Sequence, residues 1–192
     1  MWESLLVPTG IVTLAEIGDK TQLLALILAA RYRKPIPIIL GILVATVANH
    51  FLAAAVGNQV ASLFSPTTLA WILAASFAAV ALWTLIPDKM DDEDSTSKKY
   101  GPFVATLIAF FIAEMGDKTQ VATVMLAAQY SHFTMVVIGT TLGMMIANVP
   151  VVLAGNFAAD KLPLDWIRRI AALCFALLAI YAAYQAYSGS LG

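Results

Sequence analysis

Charged side chains are scarce in this sequence. Of its 192 residues 12% are Asp, Glu, Lys or Arg and 60% are hydrophobic, and the mean hydropathy is +0.83. A soluble domain covers its surface with about a quarter charged residues, so most of the surface of this chain is expected to face lipid. A clustered basic surface is also missing. The net charge is -1, which excludes a nucleic-acid partner, because phosphate neutralisation needs grouped Lys and Arg. Cysteine is nearly absent: Cys174, alone in an apolar run, permits neither a disulfide framework nor a multi-cysteine metal site within one chain, and reads as a small buried hydrophobe. The amino terminus, Met1-Trp2-Glu3, lacks the basic segment that opens a signal peptide. Its first apolar run continues into the polar motif described below, so that run is expected to be retained.

Long apolar runs are plentiful. A helix crosses the hydrocarbon core with about 20 residues, and the stretches 5–30, 35–57, 66–86, 102–128, 133–155 and 166–187 each meet that length. The first and fourth are interrupted at mid-length by Glu16, Asp19 and Lys20 and by Glu114, Asp117 and Lys118. The predicted fold is an all-α integral membrane protein of six transmembrane helices. The segment 87–101 is too polar for lipid and reads as a solvated linker, its acidic run Asp91 to Asp94 included. It separates a first three-helix unit, 1–86, from a second, 102–192.

Arg31, Arg33, Lys34, Lys89, Lys98, Lys99, Lys161, Arg168 and Arg169 all fall on the first, third and fifth loops or at their helix ends. The excess of Lys and Arg on cytoplasmic loops therefore places these three loops inside the cell and both termini outside. Trp2, Trp71, Tyr130, Tyr184 and Tyr187 then form an outer aromatic belt, and Tyr32, Trp83, Tyr100 and Trp166 an inner one.

The halves repeat. An offset of 98 residues aligns Ala15-Glu16-Ile17-Gly18-Asp19-Lys20-Thr21-Gln22 with Ala113-Glu114-Met115-Gly116-Asp117-Lys118-Thr119-Gln120, and also Gly41 with Gly139 and Phe77 with Phe175. Three spans per half is an odd number, so the second half must cross in the opposite sense. Inverted repeats of this kind surround a central substrate site that opens to either side in turn.

On a continuous helix Glu16 and Asp19 lie about 60° apart, with Lys20 on the same face. Ala15, Gly18, Gln22, Ala25 and Ala29 form an opposite, mostly small stripe for a neighbouring helix. Gly18 and Gly116 would also permit local unwinding that turns backbone carbonyls toward an ion. Thr21, Gln22, Thr119 and Gln120 add neutral oxygens. An ionisable side chain at mid-bilayer costs at least about 2.5–3.5 kcal/mol, so two such clusters demand a reason. Buried salt bridges alone would leave four carboxylates against two lysines, a residual that one divalent cation or two protons would neutralise. Oxygen ligands suit manganese, calcium or magnesium, whereas zinc and copper normally recruit His or Cys. Asn49 and His50 in the second span and Asn148 in the fifth add polar groups. Strict offset pairs His50 with Asn148, while a one-residue shift pairs Asn49 with Asn148, and both registers stay open. A lone membrane-helix histidine is most often a packing residue.

With its duplicated Glu-x-Gly-Asp-Lys-Thr motif, the chain closely resembles the cation/proton exchanger family that includes the Golgi manganese and calcium transporters of eukaryotes and MneA-type bacterial manganese exporters. The family pattern is Glu-x-Gly-Asp-[Lys/Arg]-[Ser/Thr] in the first helix of each repeat, and both copies here fit it. The resemblance implies antiport of manganese or calcium against protons, with Glu16, Asp19, Glu114 and Asp117 as metal ligands, and the burial of the clusters predicts in addition that Lys20 and Lys118 hold part of the negative charge when metal is absent. It also implies a bacterial cell-membrane protein exporting manganese, with no enzyme activity and no cofactor beyond the transported ion. A calcium/proton antiporter is the alternative. A passive channel suits paired high-charge sites poorly. An intramembrane metallohydrolase has no His-Glu-x-x-His motif here and no use for an inverted second copy.

Overall fold

A computed structural model describes residues 2–86, 100–154 and 164–189. The charged connector 87–99, together with Gly155, Asn156 and Lys161, lies outside the described residues. All regular structure among the described residues is helical: α1 (Glu3–Glu16), α2 (Lys20–Tyr32), α3 (Pro35–Leu63), α4 (Pro66–Thr84), α5 (Pro102–Glu114), α6 (Lys118–Gln129), α7 (Phe133–Ala154) and α8 (Leu164–Gly189). Proline opens α3, α4 and α5, where its missing N–H would have lacked an intrahelical partner anyway. Ser65 caps α4, its hydroxyl accepting from the Thr68 N–H at 3.3 Å. Arg33 ends α2 in the left-handed conformation, at φ 51°, with its N–H bonded to the Ala29 carbonyl.

Helices α3, α4, α7 and α8 are each long and apolar enough to cross a membrane. The two runs that carry the motifs are instead broken. Where one helix was expected from Leu5 to Ala30, α1 ends at Glu16 and α2 starts at Lys20, and the run 102–128 divides in the same way into α5 and α6. The reading of Glu16, Asp19 and Lys20 as one helical stripe therefore does not hold. Its physical correction is Gly18 at φ 82°, matched by Gly116 at φ 76°, a conformation that ends a right-handed helix and that glycine adopts without steric cost.

The helices pack in reciprocal pairs. α1 lies along α7 as α5 lies along α3, α2 meets α7 as α6 meets α3, and α4 runs against α8. Phe77 of α4 stacks on its repeat partner Phe175 of α8, ring centroids 6.5 Å apart. Two glycines at the 98-residue offset set matching close approaches. A Cβ on Gly139 of α7 would stand 2.5 Å from the Leu5 carbonyl oxygen, and one on Gly41 of α3 would stand 2.8 Å from that of Phe103. Leu5 and Phe103 are themselves 98 residues apart, so strict offset governs both packings. α3 and α7 run unbroken from these glycines to His50 and Asn148, which makes those two residues counterparts and closes the choice of register.

Two apolar clusters flank the polar centre. One joins Phe77, Val80, Phe175 and Ala182 of α4 and α8 to Met125 and Leu126 of α6. The other joins Val12, Leu28, Ile38, Ile42, Phe110 and Met144. Leu6, Leu40, Phe51, Leu82, Leu142, Leu153, Leu173 and Ile180 turn outward and are exposed, a surface suited to hydrocarbon and not to water.

Candidate cation site at the two helix breaks

Each break is built in the same way. The Asp19 N–H bonds to the Glu16 carbonyl at 3.1 Å and the Asp117 N–H to the Glu114 carbonyl at 3.1 Å. The glycine between has a backbone donor that the break leaves without a helical partner, and the motif glutamine answers it: Gln22 Oε1 accepts from Gly18 N–H at 2.8 Å and Gln120 Oε1 from Gly116 N–H at 2.7 Å. Gln22 Nε2 then donates to the Ala147 carbonyl of α7 at 3.0 Å. The oxygens offered by Gln22 and Gln120 are thus spent on the backbone, where the sequence suggested ion ligands. Asp19 and Asp117 take the N-cap positions of α2 and α6, the helix end whose dipole favours a carboxylate.

Of the four predicted acids, three converge. Glu16, Asp19 and Asp117 each offer a carboxylate oxygen within 4.8 Å of the others, and all three are buried. The motif lysines cross between the halves. Lys118 Nζ lies 2.8 Å from Asp19 Oδ1, and Lys20 Nζ lies 3.2 Å from Asp117 Oδ1. Glu16 takes both motif threonines, with Thr21 Oγ1 donating to its Oε2 at 2.6 Å and Thr119 Oγ1 donating to its Oε1. Thr119 belongs to the motif of Glu114, yet it serves Glu16.

Glu114 stands outside this group. It is fully buried, neither carboxylate oxygen has a hydrogen-bond partner, and His50 Nε2 lies 4.0 Å from Oε2. Asn49 Nδ2 donates to the Phe111 carbonyl at 3.0 Å, one turn before Glu114, whereas Asn148 Nδ2 bonds back to Met144 within its own helix at 3.1 Å. The side-chain oxygens of Asn49 and Asn148 are left buried without partners, as are the hydroxyls of Thr46, Thr106 and Thr141. Reading the sequence passed over these three threonines, because a threonine in an apolar helix usually bonds its own preceding turn. No local signal marks those that do not.

Three carboxylates and two hydroxyls, all oxygen and all buried, with two lysines in attendance, make a cluster whose donors are of the type that suits a hard or borderline cation. An apolar helical chain with such a cluster at two helix breaks is an ion-transporting membrane protein. It belongs to the family described as Divalent cation/proton antiporter GDT1, whose model matches residues 4–92 and again residues 102–190. A Vibrio cholerae serotype O1 protein named "Putative manganese exporter" is 59% identical over 174 residues, covering 90% of this chain and 86% of its own length. A GDT1-like protein of Synechocystis is 29% identical over 197 residues, covering 88% of this chain and 91% of its own. GDT1-like protein 4 of Oryza sativa subsp. indica is 25% identical over 203 residues, covering 91% and 71%. No solved structure matches the chain.

Proposed function

We propose that this chain exports manganese from the cytoplasm in exchange for protons, holding the ion on Glu16, Asp19 and Asp117. The observation that carries this reading is the reciprocal crossing of Lys118 to Asp19 and Lys20 to Asp117 around Glu16. It brings charge from both halves to one buried point, where an ion bound by both would feel them move against each other. The architecture that fits is six spans in two inverted repeats, 1–86 and 102–192, joined by the linker 87–101, with α1–α2 and α5–α6 each crossing as one broken span. Reciprocal helix packing and the stacking of Phe77 on Phe175 support it. The positive-inside rule places both termini outside and the first, third and fifth loops in the cytoplasm of a cell membrane.

In the empty site the lysines offset the carboxylates. An arriving divalent cation takes their place, and the ammonium groups withdraw by rotation of long, flexible side chains. Protons on the same carboxylates give a cluster of similar net charge. Loaded or protonated, the cluster crosses between the two states at moderate cost, while the bare anionic cluster in low dielectric does not. That restriction couples the two fluxes. The unequal treatment of Glu16 and Glu114 fits one of two alternating states.

Purified protein in liposomes loaded with manganese, with a pH gradient imposed across the bilayer, tests this. Manganese moves up its own gradient as protons move down theirs, and parallel vesicles with calcium, magnesium and zinc rank the cargo. Manganese flux indifferent to the pH gradient, with no proton movement, overturns exchange and leaves a uniporter or channel.

A further inference from the structure

We propose that Glu114 and His50 form a second cation station beside the three-carboxylate cluster, and that its imidazole selects first-row divalent ions over magnesium and calcium. This rests on the transport reading above and names a specificity determinant within it.

Three observations carry it. Glu114 and His50 are both fully buried, and neither the two carboxylate oxygens nor the two ring nitrogens have a hydrogen-bond partner. Groups of this kind are normally satisfied, so two fully buried side chains left bare, with Nε2 and Oε2 4.0 Å apart, call for a ligand. Their separation is informative as well. At 4.0 Å, Nε2 and Oε2 are too far apart for a hydrogen bond, yet two ligands on one ion with bonds of about 2.0–2.6 Å can lie about that far apart. Finally, the repeat supplies an internal control. The counterpart of His50 is Asn148, which spends its amide N–H on its own helix, so only the first half places a nitrogen ligand beside a motif glutamate.

The chemistry then differs between the stations. Magnesium and calcium prefer oxygen ligands and are served by the all-oxygen cluster at Glu16. An imidazole nitrogen favours the first-row metals, in the order in which affinity rises from manganese through iron and cobalt. An ion that must pass both stations meets a filter at the second that magnesium and calcium pass poorly.

The probe is Mn2+ itself. Purified protein saturated with Mn2+ is studied by pulsed electron paramagnetic resonance, in which a directly bound imidazole nitrogen modulates the electron spin echo. Modulation is expected in the unaltered chain and in His132→Gln, the variant of the other histidine, and it disappears in His50→Asn, which copies the residue found at Asn148. In liposomes His50→Asn lowers the preference for manganese over magnesium about tenfold or more, the size of loss typical when a metal site is disturbed. A chain that binds Mn2+ without nitrogen modulation, or a His50→Asn variant of unchanged preference, overturns the station and leaves the transport reading standing. A chain that binds no Mn2+ sinks both. If His50→Asn fails to fold, the spectra of the unaltered chain and of His132→Gln together still decide.

Discussion

The two motif lysines occupy matching positions in motifs that differ only at Ile17 and Met115, and the structure predicts that removing them has unequal cost. Lys118 is 3% exposed and faces an Asp19 carboxylate that is itself wholly buried. Truncating one partner of a buried pair strands the other charge, at about 3–5 kcal/mol. Lys20 is 25% exposed beside an Asp117 that is only 2% exposed, so water already reaches the ammonium end of this pair and can enter the space the lysine vacates, and the expected cost falls to about 1–2 kcal/mol. For a chain of this length each kcal/mol moves the melting temperature by about 2–4 °C. Lys118→Met is therefore expected to melt about 6–20 °C lower in detergent, and Lys20→Met about 2–8 °C lower. Adding Asp19→Asn to Lys118→Met removes the stranded charge and should return most of the lost stability, as a double-mutant cycle would record. Because Asp19 is also a proposed ligand, that double variant recovers folding without recovering manganese transport. Equal melting shifts for the two lysine variants, or a double variant no more stable than Lys118→Met, would refute the reasoning.

Four further outcomes follow from the structure. Asp117→Asn keeps the side-chain shape but removes a ligand charge, so manganese flux in proteoliposomes is expected to vanish from a protein that still elutes as a single folded species. Gly139→Ala drives a methyl group toward the Leu5 carbonyl at 2.5 Å and should destabilise by about 1–3 kcal/mol, seen as a lower melting temperature. Gly10→Ala in α1, where nothing lies within 4 Å, should be neutral or stabilising by up to about 1 kcal/mol. Gly116→Ala meets no steric obstacle, but it forces a side chain to φ 76° and should cost about 1–2 kcal/mol, read in the same melting assay.

Much of this was legible in the sequence, because its causes are local or periodic. Apolar runs long enough to cross a bilayer announced the helices. The 98-residue offset announced the duplication, and a glycine between two acids announced a place where a helix can stop. What the helical wheel got wrong, it got wrong for one reason: it assumed continuity through Gly18, and the positive φ there ends α1 before Asp19 is reached. The break also explains the motif glutamine. A reader who expects an unbroken helix sees in Gln22 a spare oxygen for an ion, whereas a broken helix exposes the Gly18 N–H, and Gln22 is at the right distance along the next helix to accept it.

The division of labour between Glu16 and Glu114 could not have been read in this way, and the reason is physical. A motif encodes what a residue can do with its neighbours inside the motif, and in that respect Glu16 and Glu114 differ only through Ile17 and Met115. Their different surroundings come from residues far away in sequence. Thr119 reaches Glu16 across 103 positions, Lys118 reaches Asp19 across 99, and Glu114 faces a histidine where the matching position in the other half is an asparagine. Duplication supplies two equal glutamates, but two threonine hydroxyls already bonded to one of them are not available to the other. Where the motifs meet in this structure, equality in sequence therefore does not carry over into equality of surroundings. The single substitution of His50 for a second asparagine falls beside the glutamate that is left out.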